Sequence, residues 1–255
     1  MDKTVLGTII SEIDEKGIAT ITFSHPSHNS LPGLLLKKFE EAIIAAGQDE
    51  AVKVIVIKSG GERTFCAGAS FDELLSIGDI DTGKRFFMGF ANVINAMRKC
   101  PKFIIGRVQG KAVGGGVGLA SAFDYCMATK YASVKLSELA IGIGPFVIGP
   151  AVERKIGKSA MTLLAINATE WKTAAWAKEK GLFAEVFDTT EQMDDYIDFL
   201  ADKLANSNPE AMRLLKGIFW AEAGDWDELL AERAEMSGRL VLSEYTAAAL
   251  RQIKG

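Results

Sequence analysis

The chain is poor in the residues that most often build metal sites and covalent cross-links: 255 residues hold only two histidines and three cysteines. Cys66, Cys100 and Cys126 are odd in number and lack metal-ligand spacing, and a disulfide framework would be unusual at this length. Reduced thiols in a cytoplasmic protein, with no resident metal, are the expectation. His25 and His28 flank Pro26 ahead of a predicted helix and form no triad with any marked serine, so they read as loop histidines. A basic face is also missing. Net charge is −4 with Lys and Arg scattered, which excludes the electrostatic footprint of a nucleic-acid partner. Nor is there a membrane span. The apolar run from Leu139 to Val152 is broken by Gly142, Gly144, Pro145, Gly149 and Pro150 and falls short of the ~20 residues a span requires. The N-terminal segment MDKTVLGTIISEIDEKG acquires acidic residues before any apolar core forms, unlike a signal peptide.

What is present is a chain with 48% hydrophobic residues, enough for a substantial core in one or two domains. Residues 17–24 and 52–58 are rich in Ile, Val and Thr and predict strands. Between them Leu34, Leu35, Phe39, Ile43 and Ile44 recur at helical spacing, with Ser30 as expected N-cap and Pro32 as an early helical proline. The order repeats as a strand over 103–108, a helix over 114–123 and a strand over 125–129, which favours an α/β core. After about residue 190 only helical patterns remain, around 193–205, 210–223, 227–242 and 243–253. The expected division is an α/β region over 1–190 and a helical region over 191–255. Leu214, Leu215, Ile218 and Phe219 of the latter exceed what a thin layer needs, pointing to core packing or subunit contact.

Two glycine-containing segments carry the chemistry. GKAVGGGVG at 110–118 places Gly114, Gly115, Gly116 and Gly118 where a helix is predicted to begin, each forgoing about 1 kcal/mol of helix stability relative to Ala. First-turn amides lack internal partners and the helix dipole favours negative charge there. FCAGAS at 65–70 ends a strand and turns through Ala67, Gly68 and Ala69, all too small to block a ligand. Either cluster alone reads first as a tight turn or close helix packing; two sets of amides aimed at one point make an oxyanion hole. The nucleotide alternatives lose support, because GxxxxGK[ST] is absent and the glycine spacing does not give the dinucleotide fingerprint.

Four ordered motifs, SHPSHNSL (24–31), FCAGASFDEL (65–74), IGRVQGKAVGGGVGLASAFDY (105–125) and SELAIGIGP (137–145), resemble the enoyl-CoA hydratase/isomerase, or crotonase, superfamily from end to end. The resemblance implies an α/β spiral of ββα units, followed by a C-terminal helical region that builds homotrimers, often paired into hexamers. It implies an acyl-CoA thioester substrate of the kind met in fatty acid metabolism, with coenzyme A part of the substrate and no separate cofactor. By the same resemblance the backbone N–H groups of Ala67 and Gly115 hold the thioester oxygen. Ala67, Gly68, Ala69, Ser70, Gly114 and Gly115 line the substrate, and the Pro26–Leu31 segment lines its CoA part. Glu138, in an apolar neighbourhood expected to raise its pKa, matches a catalytic glutamate.

The informative departure is Gly118. Hydratases of the superfamily carry a second, water-activating glutamate two residues after the glycine triplet. The mitochondrial-type Δ3,Δ2-enoyl-CoA isomerases resemble this chain in having an apolar residue there and one glutamate at the position of Glu138. The expected reaction is therefore isomerisation of 3-enoyl-CoA to 2-enoyl-CoA. Hydration with a substitute water ligand is the alternative, and a catalytically silent acyl-CoA-binding trimer is the alternative of another class. Ser70 replaces a common aspartate, and Phe146 stands where some members put an additional carboxylate, which disfavours those variants. Phe71, Phe86, Phe87, Met88 and Phe90 are candidates for an acyl pocket or plain core. Cys66, next to Ala67, reads as a small buried thiol.

Overall fold

The structure is a computed structural model that describes residues 7–254. The expectation for the N-terminal segment rests in part on residues 1–6, and Gly255 closes the predicted helical tail; these lie outside the described residues. A spiral is visible in the order of the elements. β1 (Thr8–Ile13) and β2 (Ile18–Ser24) form a hairpin, followed by α1 (Gly33–Gln48). Each further turn then gives one strand to each of two sheets: β3 (Val54–Ser59) and β4 (Thr64–Cys66) precede α2 (Phe71–Ser76) and α3 (Ile80–Lys99). β5 (Phe103–Val108) and β6 (Lys111–Val113) precede α4 (Gly115–Ala122). After β7 (Tyr125–Thr129) and β8 (Ser133–Lys135) come a 3-10 turn, Glu138–Ile141, and α5 (Gly149–Ile166). β9 (Lys172–Thr173), α6 (Ala174–Glu179) and β10 (Glu185–Phe187) close the spiral.

The larger sheet runs β1-β2-β3-β5-β7-β10 and the smaller β4-β6-β8-β9, parallel except at β1/β2 and β8/β9. Burial follows position. Central β3 is almost wholly buried, as expected for a parallel strand covered on both faces, whereas β2 alternates, with Ala19, Ile21 and Phe23 inward. On one face α1, α3 and α4 pack into the main core; on the other, α7 (Thr190–Ala205) lays Met193, Ile197 and Ala201 against Val54, Val56, Ile105 and Met127.

The helices after residue 190 pack on this core. α8 (Pro209–Phe219) is pinned by Lys216, whose ammonium donates to the Asp124 carboxylate (2.8 Å) and the Lys102 carbonyl (2.7 Å). Trp220 Nε1 donates to the other Asp124 oxygen (2.9 Å). α9 (Trp226–Leu240) lies along α3 so closely that a methyl group at Gly83 would stand 2.8 Å from the Gly238 Cα. α10 (Glu244–Lys254) covers the 138–143 turn.

Two local expectations are corrected. The N-cap of α1 is Pro32, not Ser30, and its first free amide, Gly33 N–H, is capped from outside by the Glu73 carboxylate at 2.7 Å. The buried stripe of α1 is Leu35, Leu36, Phe39 and Ile43, while Leu34 and Ile44 face solvent. Among the described residues no helix is long and apolar enough to cross a membrane.

Candidate active site

The loop after β4, the start of α4 and the 3-10 turn after β8 meet at one cavity of about 70 Å³. Ala67, Gly68, Ala69, Gly114, Gly115 and Glu138 all line it, so the structure brings together six of the seven residues singled out from the sequence. Ser70 is the exception. It is buried outside the cavity, where its hydroxyl caps α2 by accepting from Glu73 N–H (3.4 Å), a job open to Ser as readily as to the Asp it replaces.

Gly68 takes φ +85°, a left-handed conformation natural to glycine, and this turns the chain so that the Gly68 carbonyl accepts from Leu31 N–H at 2.8 Å. The amides around it then have different fates. Ala67 N–H donates to the His28 carbonyl (3.1 Å) and Gly68 N–H to Cys66 Sγ (3.4 Å), whereas Ala69 N–H has no partner among the described residues. The expectation for Ala67 is thereby corrected: its N–H is spent inside the protein, and the free donor of this loop is two residues later. The Pro26–Leu31 segment supports the loop from behind. Asn29 Nδ2 donates to the Gly60 and Thr64 carbonyls (2.7 and 2.8 Å), while none of the six residues reaches the cavity.

At α4 each glycine answers a different neighbour. Gly114, at φ +51°, gives its N–H to the Lys135 carbonyl (2.9 Å), and a methyl group on it would stand 2.8 Å from Glu138 Oε1. A side chain on Gly115 would collide with the Phe90 ring, and one on Gly116 would stand 2.6 Å from the Cys66 carbonyl oxygen. The Gly115 amide begins the helix and has no partner among the described residues. It lies against the other loop, since a methyl group on Gly68 would stand 3.3 Å from Gly115 N. Two unpartnered N–H groups, of Ala69 and Gly115, thus share one wall.

Glu138 stands on the same cavity, its carboxylate against Gly114. Its Oε2 is fully buried without a hydrogen-bond partner, and burial pushes its pKa up to about 7, opposed only weakly by its own backbone N–H. The other polar side chains on the cavity are Ser137 and Ser237, and the Ser237 hydroxyl is committed to the Arg233 carbonyl (3.1 Å). The rest is apolar. Of the aromatic candidates, Phe71, Phe87 and Phe90 line the cavity together with Phe146; Phe86 and Met88 do not. Cys66 is buried just behind, its thiol pKa pushed up to about 12 by desolvation, which makes it inert at neutral pH.

One residue of consequence carried no mark in the sequence. A methyl group at Gly118 would stand 2.5 Å from Ile148 Cγ2 and 2.6 Å from Ile148 Cβ, and Ile148 itself is buried on the cavity wall. Gly118 is therefore an occupied place, filled from α5's leading turn by a hydrocarbon.

Comparison with known proteins agrees with this geometry. The sequence profile of the enoyl-CoA hydratase/isomerase family matches residues 14–247. The peroxisomal Delta(3,5)-Delta(2,4)-dienoyl-CoA isomerase of Arabidopsis thaliana is 26% identical over 226 residues, covering 82% of this chain and 80% of the relative. The short-chain-enoyl-CoA hydratase of Clostridium acetobutylicum is 28% identical over 242 residues, covering 94% and 91%. The crystal structure of an enoyl-CoA hydratase from Bacillus halodurans superposes with a TM-score of 0.88 at 20% identity, covering 96% of this chain and 99% of that one, a likeness of fold.

Proposed function

The chain belongs to the enoyl-CoA hydratase/isomerase family, and on that footing we propose that it moves the double bond of a 3-enoyl-CoA thioester to the 2-position, with Glu138 as its single acid/base. The thioester oxygen sits between the N–H groups of Ala69 and Gly115. Glu138 takes a proton from C2; the electron pair flows into the carbonyl, giving a dienolate whose charge those two amides stabilise. Removing one such donor in comparable sites costs about 2.7–4 kcal/mol. Return of the proton to C4 leaves the double bond conjugated with the carbonyl. A carboxyl group with a pKa near 7 is matched to both halves of this transfer.

The observation that carries the reading is Ile148 against Gly118. Hydration requires water held and polarised beside the double bond, and a buried Ile side chain holds none. Here it fills the volume next to Gly118 that a second carboxylate would need. The helices from 191 onward we assign to subunit contact: Leu214, Leu215, Ile218 and Phe219 of α8 are 44–69% exposed. The test of the reaction is optical. Purified protein mixed with 3-enoyl-CoA is expected to raise the ultraviolet absorbance of the conjugated thioester, while 2-enoyl-CoA keeps its absorbance. Rapid loss of absorbance from 2-enoyl-CoA with none gained from 3-enoyl-CoA would make the protein a hydratase.

A further inference from the structure

The cavity of the candidate site, at about 70 Å³, is the smaller of two that meet at Pro145 and Phe146. It ends at the turn Pro145–Phe146, whose aromatic ring lies so close over Gly144 that any side chain there would collide with it. On the far side of the same two residues opens a second, solvent-connected pocket of about 310 Å³, walled by the start of α5 and Met161 and carrying Glu153, Thr162 and Arg233. α9 runs past both. Ser237 faces the first cavity and Arg233, four residues or about 6 Å earlier along the helix, faces the second.

Arg233 is the unusual group. Its Nε is fully buried with no hydrogen-bond partner, and it makes no ion pair among the described residues. Glu153, the other charged group of the pocket, is exposed at its edge and stands beyond ion-pair distance. A guanidinium is always charged, and leaving a buried donor unmet is unfavourable. The two terminal nitrogens, which are not sealed as Nε is and have no partner among the described residues, form an edge that fits the two oxygens of a carboxylate.

We propose that the second pocket receives the far end of the acyl group and that Arg233 binds a terminal carboxylate there. The substrate class is then a 3-enoyl thioester whose acyl chain ends in a carboxylate, with Phe146 as the partition that the chain must turn aside. This rests on the enoyl-thioester reading above. A chain ending in a methyl group would fill the same space but leave the Arg233 guanidinium without an anion.

The experiment compares the full-length protein with Arg233→Met and Arg233→Lys on 3-enoyl-CoA thioesters of equal length that end in a carboxylate or a methyl group. The wild type is expected to favour the carboxylate-ended substrate in kcat/KM by at least about tenfold, and Arg233→Met to lose that preference, the methyl-ended substrate then being used at least as well as the carboxylate-ended one. Arg233→Lys, a point charge without the fork, is expected to fall between. Equal use of both substrates by the wild type, or an equal loss on both in Arg233→Met, overturns the proposal. A fall in oligomeric mass of Arg233→Met with the preference unchanged also overturns it, by giving Arg233 to a subunit contact. If no 3-enoyl thioester is turned over, calorimetric binding of saturated thioesters with carboxylate or methyl ends still reads the preference, so the pocket and the reaction are judged separately.

Discussion

Gly118 and Ile148 form a pair whose coupling follows from their spacing. A methyl group at 118 would stand 2.5 Å from Ile148 Cγ2 and 2.6 Å from its Cβ, far inside the ~3.5–4.0 Å of carbon–carbon contact. Gly118→Ala therefore overpacks the wall and is expected to lower stability by about 1–3 kcal/mol, even though Ala favours helix by about 1 kcal/mol. Ile148→Ala cannot relieve this, because the Cβ stays in place; Ile148→Gly can. Residue 148 precedes the first turn of α5, where glycine is a tolerated cap, so the backbone should accept the change. In a double-mutant cycle by chemical denaturation, Gly118→Ala with Ile148→Gly should show about 1–3 kcal/mol of favourable coupling, and Gly118→Ala with Ile148→Ala far less. The same logic extends to chemistry. Gly118→Glu alone is expected to give a destabilised protein without hydratase activity, and Gly118→Glu with Ile148→Gly to gain measurable hydration of 2-enoyl-CoA. Additive stabilities in the cycle, or hydration by the single Gly118→Glu variant, would refute the claim that Ile148 occupies that place.

Three further outcomes are expected. Glu138→Gln should abolish isomerisation. Because burial raises the Glu138 pKa to about 7 from 4.5, ionisation destabilises the fold as pH rises through that window, so Glu138→Gln should be the more stable protein above pH 7, by roughly 3 kcal/mol, with the gap vanishing toward pH 4.5 in denaturation curves. Replacing the amide of residue 69 by an ester through semisynthesis should reduce kcat by about 10²–10³-fold, whereas the same change at residue 67 should leave kcat unchanged and lower stability by about 1 kcal/mol through the lost bond to His28. Lys216→Met should destabilise by about 3 kcal/mol, since Asp124 keeps a buried charge stripped of its cation, with kcat unaltered on whatever folds.

The alternation of strands and helices was legible because β2, β3 and β5 are rich in Ile, Val and Thr and helices between them have periodic apolar faces. Of the five residues read as the α1 stripe, Leu35, Phe39 and Ile43 are buried; its edges were misplaced because four consecutive small or apolar residues, GLLL at 33–36, satisfy more than one phase of the helix until packing against α3 selects one. Glu138 stood out because SELAIGIGP matches a family motif, which outweighed the ordinary reading of a lone glutamate as a surface residue, and the glycines by their cost. Which amide of FCAGAS is free could not be read at all: Ala67 and Ala69 are the same residue type, and only the fold decides that one meets His28 and the other meets nothing. Ile148 and Arg233 were invisible for a related reason. An Ile in an apolar run and an Arg on a charged helix are ordinary in sequence, and acquire meaning from Gly118 and Phe146, which lie distant along the chain.

The most direct test of a single acid/base acting without an activated water is to follow the atoms. A 3-enoyl-CoA carrying deuterium at C2 is incubated with the enzyme in heavy-oxygen water and the product examined by mass spectrometry and NMR. The account predicts 2-enoyl-CoA with part of the deuterium now at C4 and no solvent oxygen in the acyl chain. A 3-hydroxyacyl product bearing solvent oxygen, formed as fast as substrate disappears, would contradict it.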